Sequence, residues 1–198
     1  LIYGSAAFVS PHEVEVNGEV LTAGEIFLNT GARAVVPDWA KGVPHFTNAN
    51  IMDLDVLPRN LAIVGGSYIG LEFAQMYRRF GAEVTVLERG ARVASREDAD
   101  VSDAIRGILE AEGVRIITGA ADFSATADGD GVAVRFASGG ERQTVAASHL
   151  LLAVGRGGPS CCAPGAAIAV GGGGCATLGG LCLLLLLLPR RLLLVSPP

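Results

Sequence analysis

A short, wholly apolar run, Leu61-Ala62-Ile63-Val64, leads without a break into Gly65-Gly66-Ser67-Tyr68-Ile69-Gly70. No other feature leaves the chain so little freedom. An apolar run of that length marks a strand buried on both faces. The glycine-rich turn directly after it fits a strand-to-helix junction. Ile69, Phe73, Met76 and Phe80 follow at spacings of 4, 3 and 4. They predict a helix with those four on its buried face, Arg78 and Arg79 on its outer side and Gly81 as its stop. Val84-Thr85-Val86-Leu87 then repeats the buried-strand signal and ends at Glu88. Residues 61–88 therefore read as one β-α-β unit.

The same reading extends downstream. Ser95 with Asp98 three residues on suggests a capping box. Val101, Ala104, Ile105, Ile108 and Leu109 make an apolar stripe stopped by Gly113, and Val114-Arg115-Ile116-Ile117 is a third strand. After the turn Asp128-Gly129-Asp130-Gly131 the period switches to two in Val132–Phe136, and Leu150–Val154 is another buried strand. The fold class is α/β: a doubly wound, Rossmann-like nucleotide domain with a parallel sheet and a small antiparallel β insertion. Residues 1–38 are β-rich. Glu13–Val16 and Glu19–Thr22 flank Asn17-Gly18, a strong hairpin signal because both residues tolerate positive φ. Residues 39–58, with Pro44 and Pro58, read as a connector, and 59–156 as the nucleotide domain.

A loop of this kind lets the phosphates of a dinucleotide approach the backbone, while the N–H groups of the following helix turn point at the anion. Gly65 supplies the tight turn and Gly70 the close packing of helix on strand. Ser67 stands where the usual pattern has its middle glycine, and its hydroxyl can donate to a phosphate. Glu88 lies 18 residues after Gly70 at the tip of the next strand, where a carboxylate accepts hydrogen bonds from adenosine ribose hydroxyls. That favours NAD. Arg89 and Arg92 keep NADP open.

Composition excludes other classes. Positions 1–156 hold 13 basic against 20 acidic residues, a net charge of −7, with Lys41 the sole lysine, so the body offers no clustered positive surface for nucleic acid. All four cysteines (Cys161, Cys162, Cys175 and Cys182) lie beyond it, so no disulfide staples the body. His12, His45 and His149 are scattered, and no spacing suggests a metal site. Residues 157–198 break every pattern, with Gly171–Gly174 and Leu183–Leu188 as homopolymer runs and Arg190 and Arg191 as the only charges. The expectation is a low-complexity tail without a packed fold, of the composition a shifted reading frame in a GC-rich gene would produce.

Three segments together resemble a known family: Ile63–Ala74, Val84–Glu88 and Leu151–Arg156. They look like class I pyridine nucleotide-disulfide oxidoreductases, most closely the mercuric reductase and dihydrolipoamide dehydrogenase branches. The resemblance implies an NAD(P)H-dependent FAD flavoprotein that passes hydride from nicotinamide to flavin and onward to a disulfide, a metal ion or a similar acceptor. It implies that residues 1–38 are a returning piece of an FAD domain, with Thr30 and Gly31 near the flavin dinucleotide. It also implies that Glu72 and Gly155 lie toward the nicotinamide end. The dinucleotide-binding set is then Gly65, Gly66, Ser67, Tyr68, Ile69, Gly70, Glu72, Glu88, Arg89 and Gly155, with Thr30 and Gly31 for FAD. The family's other elements are not found among these 198 residues: a first G-x-G-x-x-G, a Cys-x4-Cys pair, and the His-Glu acid/base pair of an interface domain. The expectation is therefore a fragment, cytoplasmic, whose intact relatives are homodimers. An alternative is a non-catalytic dinucleotide-binding module. A third reading, a tail-anchored membrane protein, rests on the uncharged stretch 166–188.

Overall fold

The computed structural model describes residues 2–29, 31–157, 182–188 and 191–195. The chain divides into two compact units, one formed by Leu1–Arg33 with Arg156–Pro198, the other by Ala34–Gly155.

The first unit opens with β1 (Ile2–Ser10), β2 (Glu13–Val16), β3 (Glu19–Thr22) and β4 (Glu25–Asn29). Asn17 and Gly18 both take positive φ, 55° and 83°, as a two-residue turn between right-twisted strands requires. The turn sets the β2–β3 register, Val16 opposite Glu19 and Glu13 opposite Thr22. Alternation along β2 buries Val14 and Val16, which with Ala6 and Ala23 form a small core. A two-residue strand, β5 (Arg33–Ala34), follows.

The second unit holds the β-α-β crossover. After two short 3₁₀ turns at Asp38–Ala40 and Ile51–Asp53 come β6 (Asn60–Val64), α1 (Tyr68–Arg79), β7 (Glu83–Leu87), α2 (Ala99–Ala111) and β8 (Arg115–Ile117). An antiparallel meander follows, β9 (Ala121–Asp128), β10 (Gly131–Ser138) and β11 (Glu141–Ala147), and β12 (His149–Leu152) completes the unit. The parallel sheet has the order β12-β6-β7-β8. Beyond the polar first residues Asn60, Glu83, Arg115 and His149, its strands are apolar except for Thr85 because both faces are covered, and alternation decides which cover each residue meets. Leu61, Ile63, Val84, Val86 and Leu151 pack with Leu71, Ala74 and Tyr77 of α1 and Leu109 of α2. Ala62, Val64, Leu87, Leu150 and Leu152 pack instead with Val132, Val134 and Phe136 of the meander. Helices therefore cover one face and an antiparallel sheet the other, where double winding would put helices on both. Residues 39–58 contribute the fully buried Ala40 and Ile51 to these cores.

Both helix faces differ from the sequence expectation. On α1 the buried residues are Gly70, Leu71, Ala74 and Tyr77, while Ile69, Phe73 and Met76 are half-buried and Phe80 is 62% exposed. The face turned to the sheet is the 70, 71, 74, 77 row, at helical spacings of 1, 3 and 3, and Ile69, Phe73 and Met76 flank it. Arg78 is not on an outer side but half-buried, its guanidinium donating to the carbonyls of Glu112 and Ala82. The α2 helix begins at Ala99 behind Asp98 rather than behind Ser95. Ala94, at a φ of 44°, bends the chain before it, and the Glu97 N–H donates to the Ala94 carbonyl in a turn. Of the predicted stripe only Leu109 is buried, and Val101, Ala104 and Ile108 are exposed.

The chain returns to the first unit through β13 (Arg156–Gly157) and then forms β14 (Cys182–Leu188) and β15 (Arg191–Val195). Both β14 and β15 fall within the stretch read from sequence as a low-complexity tail. β14 pairs antiparallel with β1 and β15 parallel with β4, giving the sheet order β3-β2-β1-β14-β15-β4. A leucine run has no period, but a strand flanked by partners on both edges needs none. The unpaired edges of β1 and β4 supply the hydrogen-bonding template. Thr30, Cys161, Cys162 and Cys175 lie outside the described residues. Among those described, no helix is long and apolar enough to cross a membrane.

Candidate functional site at the mouth of the crossover

Where β6 ends, the chain turns sharply at Gly65, with φ at 114° and its N–H donating to the Leu87 carbonyl at 2.9 Å. A Cβ on Gly65 would strike the carbonyl of Ala153, just past β12. Gly70, in the first turn of α1, is buried, and a Cβ there would run into the Gly65 carbonyl. These two glycines let α1 start against the ends of two adjacent strands. Ser67 is the N-cap, extended at φ −91° and ψ 178°, but its side chain makes no capping hydrogen bond. The first-turn N–H groups of α1 are therefore left without a side-chain acceptor, at the positive end of the helix dipole. That is the arrangement an anion takes up. Ser67 and Tyr68 are exposed beside it, and Ile69 is half-buried.

Glu88, directly after β7, turns its carboxylate back over the glycine loop. Oε2 accepts the Gly66 N–H at 2.5 Å and Oε1 accepts the Gly90 N–H at 2.6 Å. The Glu88 backbone is woven into the sheet edge as well, its N–H donating to Ile117 and its carbonyl accepting from Ala120. An ionised carboxylate has about four acceptor directions. Two are used here, and the others remain for a ligand's hydroxyl groups. The carboxylate thus faces the mouth of the crossover rather than turning away.

The structure brings Gly65, Gly66, Gly70 and Glu88 together, with the exposed Arg89 beside them. Gly155 follows β12 at a φ of 122° in open space, its carbonyl accepting the Val35 N–H at 3.0 Å. Glu72 is exposed one turn into α1. It lines a groove of about 410 Å³ with Tyr68, Leu71, Val101 and Ile105, on the helical side of the sheet and not over Glu88. Gly31 belongs to the first unit, with a φ of 70°, and Thr30 lies outside the described residues. Among the described residues no group of three or more His, Cys, Asp or Glu is placed to hold a metal. Two participants escaped the sequence reading. Gly90 carries a faint signal, a glycine two positions past the acid. Ala153 carries none, since it acts by lying beside Gly65 in space.

Comparison with known proteins places this geometry. The family model for pyridine nucleotide-disulphide oxidoreductases matches residues 1–176. The mercuric reductase of Bacillus cereus is 34% identical over 158 residues, covering 79% of this chain and 25% of the relative. The dihydrolipoyl dehydrogenase of Thermus scotoductus is 32% identical over 163 residues, covering 79% and 35%. The solved structure of the HOCl-induced flavoprotein disulfide reductase RclA from Escherichia coli superposes with a TM-score of 0.64 at 34% identity, over 80% of this chain and 36% of that one. This chain thus spans between a quarter and somewhat over a third of the length of these relatives. By sequence and by fold, it belongs to the pyridine nucleotide-disulphide oxidoreductase family.

Proposed function

We propose that Ala34–Gly155 binds the adenosine half of a nicotinamide dinucleotide, NAD(H) ahead of NADP(H), as the nucleotide unit of an FAD-dependent oxidoreductase. The observation that carries this reading is the Glu88 carboxylate, held over the glycine loop by two backbone N–H groups. Its remaining lone pairs suit the vicinal hydroxyls of a ribose, and its charge opposes a 2′-phosphate. The cradle at Gly65 and Gly70, which a Cβ would fill, and the first turn of α1 beyond it suit the pyrophosphate. Ser67 and Tyr68 would lie beside the pyrophosphate, Glu72 and Gly155 toward the nicotinamide, and Arg89 beside the ribose.

When bound, the nicotinamide supplies a hydride, and the flavin of the family accepts it. The part of this chain is to bind and orient the coenzyme. For the flavin itself the described residues offer only Gly31, and no step is assigned to it. The relatives' names point variously to mercuric ion, dihydrolipoyl groups and disulfides, so no electron acceptor is proposed.

Titration with NADH, followed by coenzyme fluorescence, tests the reading. Glu88→Ala should weaken binding by about tenfold or more, the worth of a charge-assisted hydrogen-bond pair. Equal affinity in the variant would remove Glu88 from the site.

A further inference from the structure

The Glu88 carboxylate accepts from two backbone N–H groups on different loops. Gly66 belongs to the turn after β6 and Gly90 to the turn after β7. Each donor residue is itself anchored, through the carbonyl of its next peptide. The Gly66 carbonyl accepts the Ala94 N–H at 2.7 Å, and the Gly90 carbonyl accepts the Gly119 N–H at 2.9 Å. The two donors therefore form a fixed clamp, and each carboxylate oxygen has its own place in it.

At both clamp positions a side chain would press on Glu88. A Cβ on Gly66 would stand 2.9 Å from the Glu88 Cβ and 3.0 Å from Oε2. A Cβ on Gly90 would stand 3.0 Å from Oε1, with the Arg92 carbonyl behind it at 3.4 Å. In the second case the obstructed atom is the free end of a flexible side chain, so the carboxylate, not the backbone, would give way. Gly90 has no left-handed φ to explain it.

We infer that Gly90, together with the Gly66 N–H, is a positioning residue that fixes the Glu88 carboxylate in the orientation that admits a ribose diol and rejects a 2′-phosphate. This rests on the coenzyme reading above and adds to it. A carboxylate free to swing can leave the mouth, which lets a 2′-phosphate in beside Arg89 and Arg92. A clamped one cannot. Coenzyme selectivity then depends on a glycine that need not touch the coenzyme.

The experiment has two arms, each made on the full chain. Amide hydrogen exchange in the absence of nucleotide reads the clamp directly. The Gly66 and Gly90 amides should exchange at least about tenfold faster in Glu88→Ala than in the wild type. Separate titrations with NADH and NADPH then read selectivity. Gly90→Ala should narrow the ratio of the two affinities by about tenfold, chiefly by loss of NADH affinity, while binding of nicotinamide mononucleotide, which lacks the adenosine half, stays as in the wild type. Thermal unfolding by circular dichroism shows whether Gly90→Ala is folded. If it is not, Glu88→Gln, which keeps the side chain's size but puts a donor opposite one of the N–H groups, should narrow the ratio in the same way. Exchange at Gly66 and Gly90 that is indifferent to Glu88 would overturn the clamp. A clamp that is present, with an unaltered NADH to NADPH ratio in the variants, would overturn its part in selectivity. A wild type that shows the clamp but binds neither nucleotide would sink the coenzyme reading itself, and the selectivity role with it.

Discussion

A methyl group added at Gly70 has nowhere to go. It meets the Gly65 carbonyl on one side and the Ala153 side chain at 3.3 Å on the other. Both neighbours sit on strand ends that the parallel sheet fixes, so α1 must shift outward. Gly70→Ala is expected to destabilise the second unit by roughly 1–3 kcal/mol, read from urea unfolding. The same methyl at Gly107, which has open space around it, should not destabilise the unit. A second residue-scale expectation concerns His149 on β12, whose ring lies 5.7 Å from that of Phe46. Burial holds its imidazole below the ordinary value of 6.5. Its folded form binds a proton less readily than its unfolded form, so the neutral ring's contribution is present above that ordinary value and is lost as the pH falls beneath it. From about pH 7.5 to about pH 5.5 the melting temperature of the wild type should fall further than that of His149→Gln. Equal falls would assign the acid sensitivity to other groups.

At the scale of the element, α2 separates what periodicity can and cannot say. The stripe Val101, Ala104, Ile105, Ile108 and Leu109 is real as a pattern, and a helix does form over Ala99–Ala111. Yet Leu109 is 4% exposed and Ile108 56%. Leu109→Ala should therefore lose about 2–5 kcal/mol, and Ile108→Ala no more than about 0.5 kcal/mol, in the same unfolding measurement. Adjacent residues on a helix point about 100° apart, so Leu109 meets the core while Ile108 turns away from it. The helix ends are tied by Glu112, whose carboxylate takes the Arg79 guanidinium and the Gln75 amide while its carbonyl takes Arg78. The hydrogen bond from Arg79 is the main reason its carboxyl is held below the usual glutamate range. None of this was visible in spacing, since 33 residues separate Arg79 from Glu112. The strands were far more legible. Alternation in β2 and β10, the unbroken apolar runs of β6 and β12, and the run of β7 broken only by Thr85 reflect a period of two and burial on both faces, which short-range sequence records directly.

For the whole molecule, the division into two units carries its own expectation. Ala34–Gly155 contains both large cores, one under the helices and one under the meander. Expressed alone, it should unfold in one cooperative transition and bind NADH as tightly as the full chain; a molten fragment would show that the cores need residues outside it. The β-α-β crossover, the hairpin at Asn17-Gly18 and the acid at the second strand's tip were written in the sequence, because each depends on neighbours within about thirty residues. Only the tertiary structure decided that an antiparallel sheet backs the crossover, that Ala153 closes on Gly65, that a leucine run slots between β1 and β4, and that Gly90 reaches Glu88. Those contacts join parts of the chain that share no local period, so packing and the satisfaction of backbone hydrogen bonds select them, and no residue announces its partner in advance.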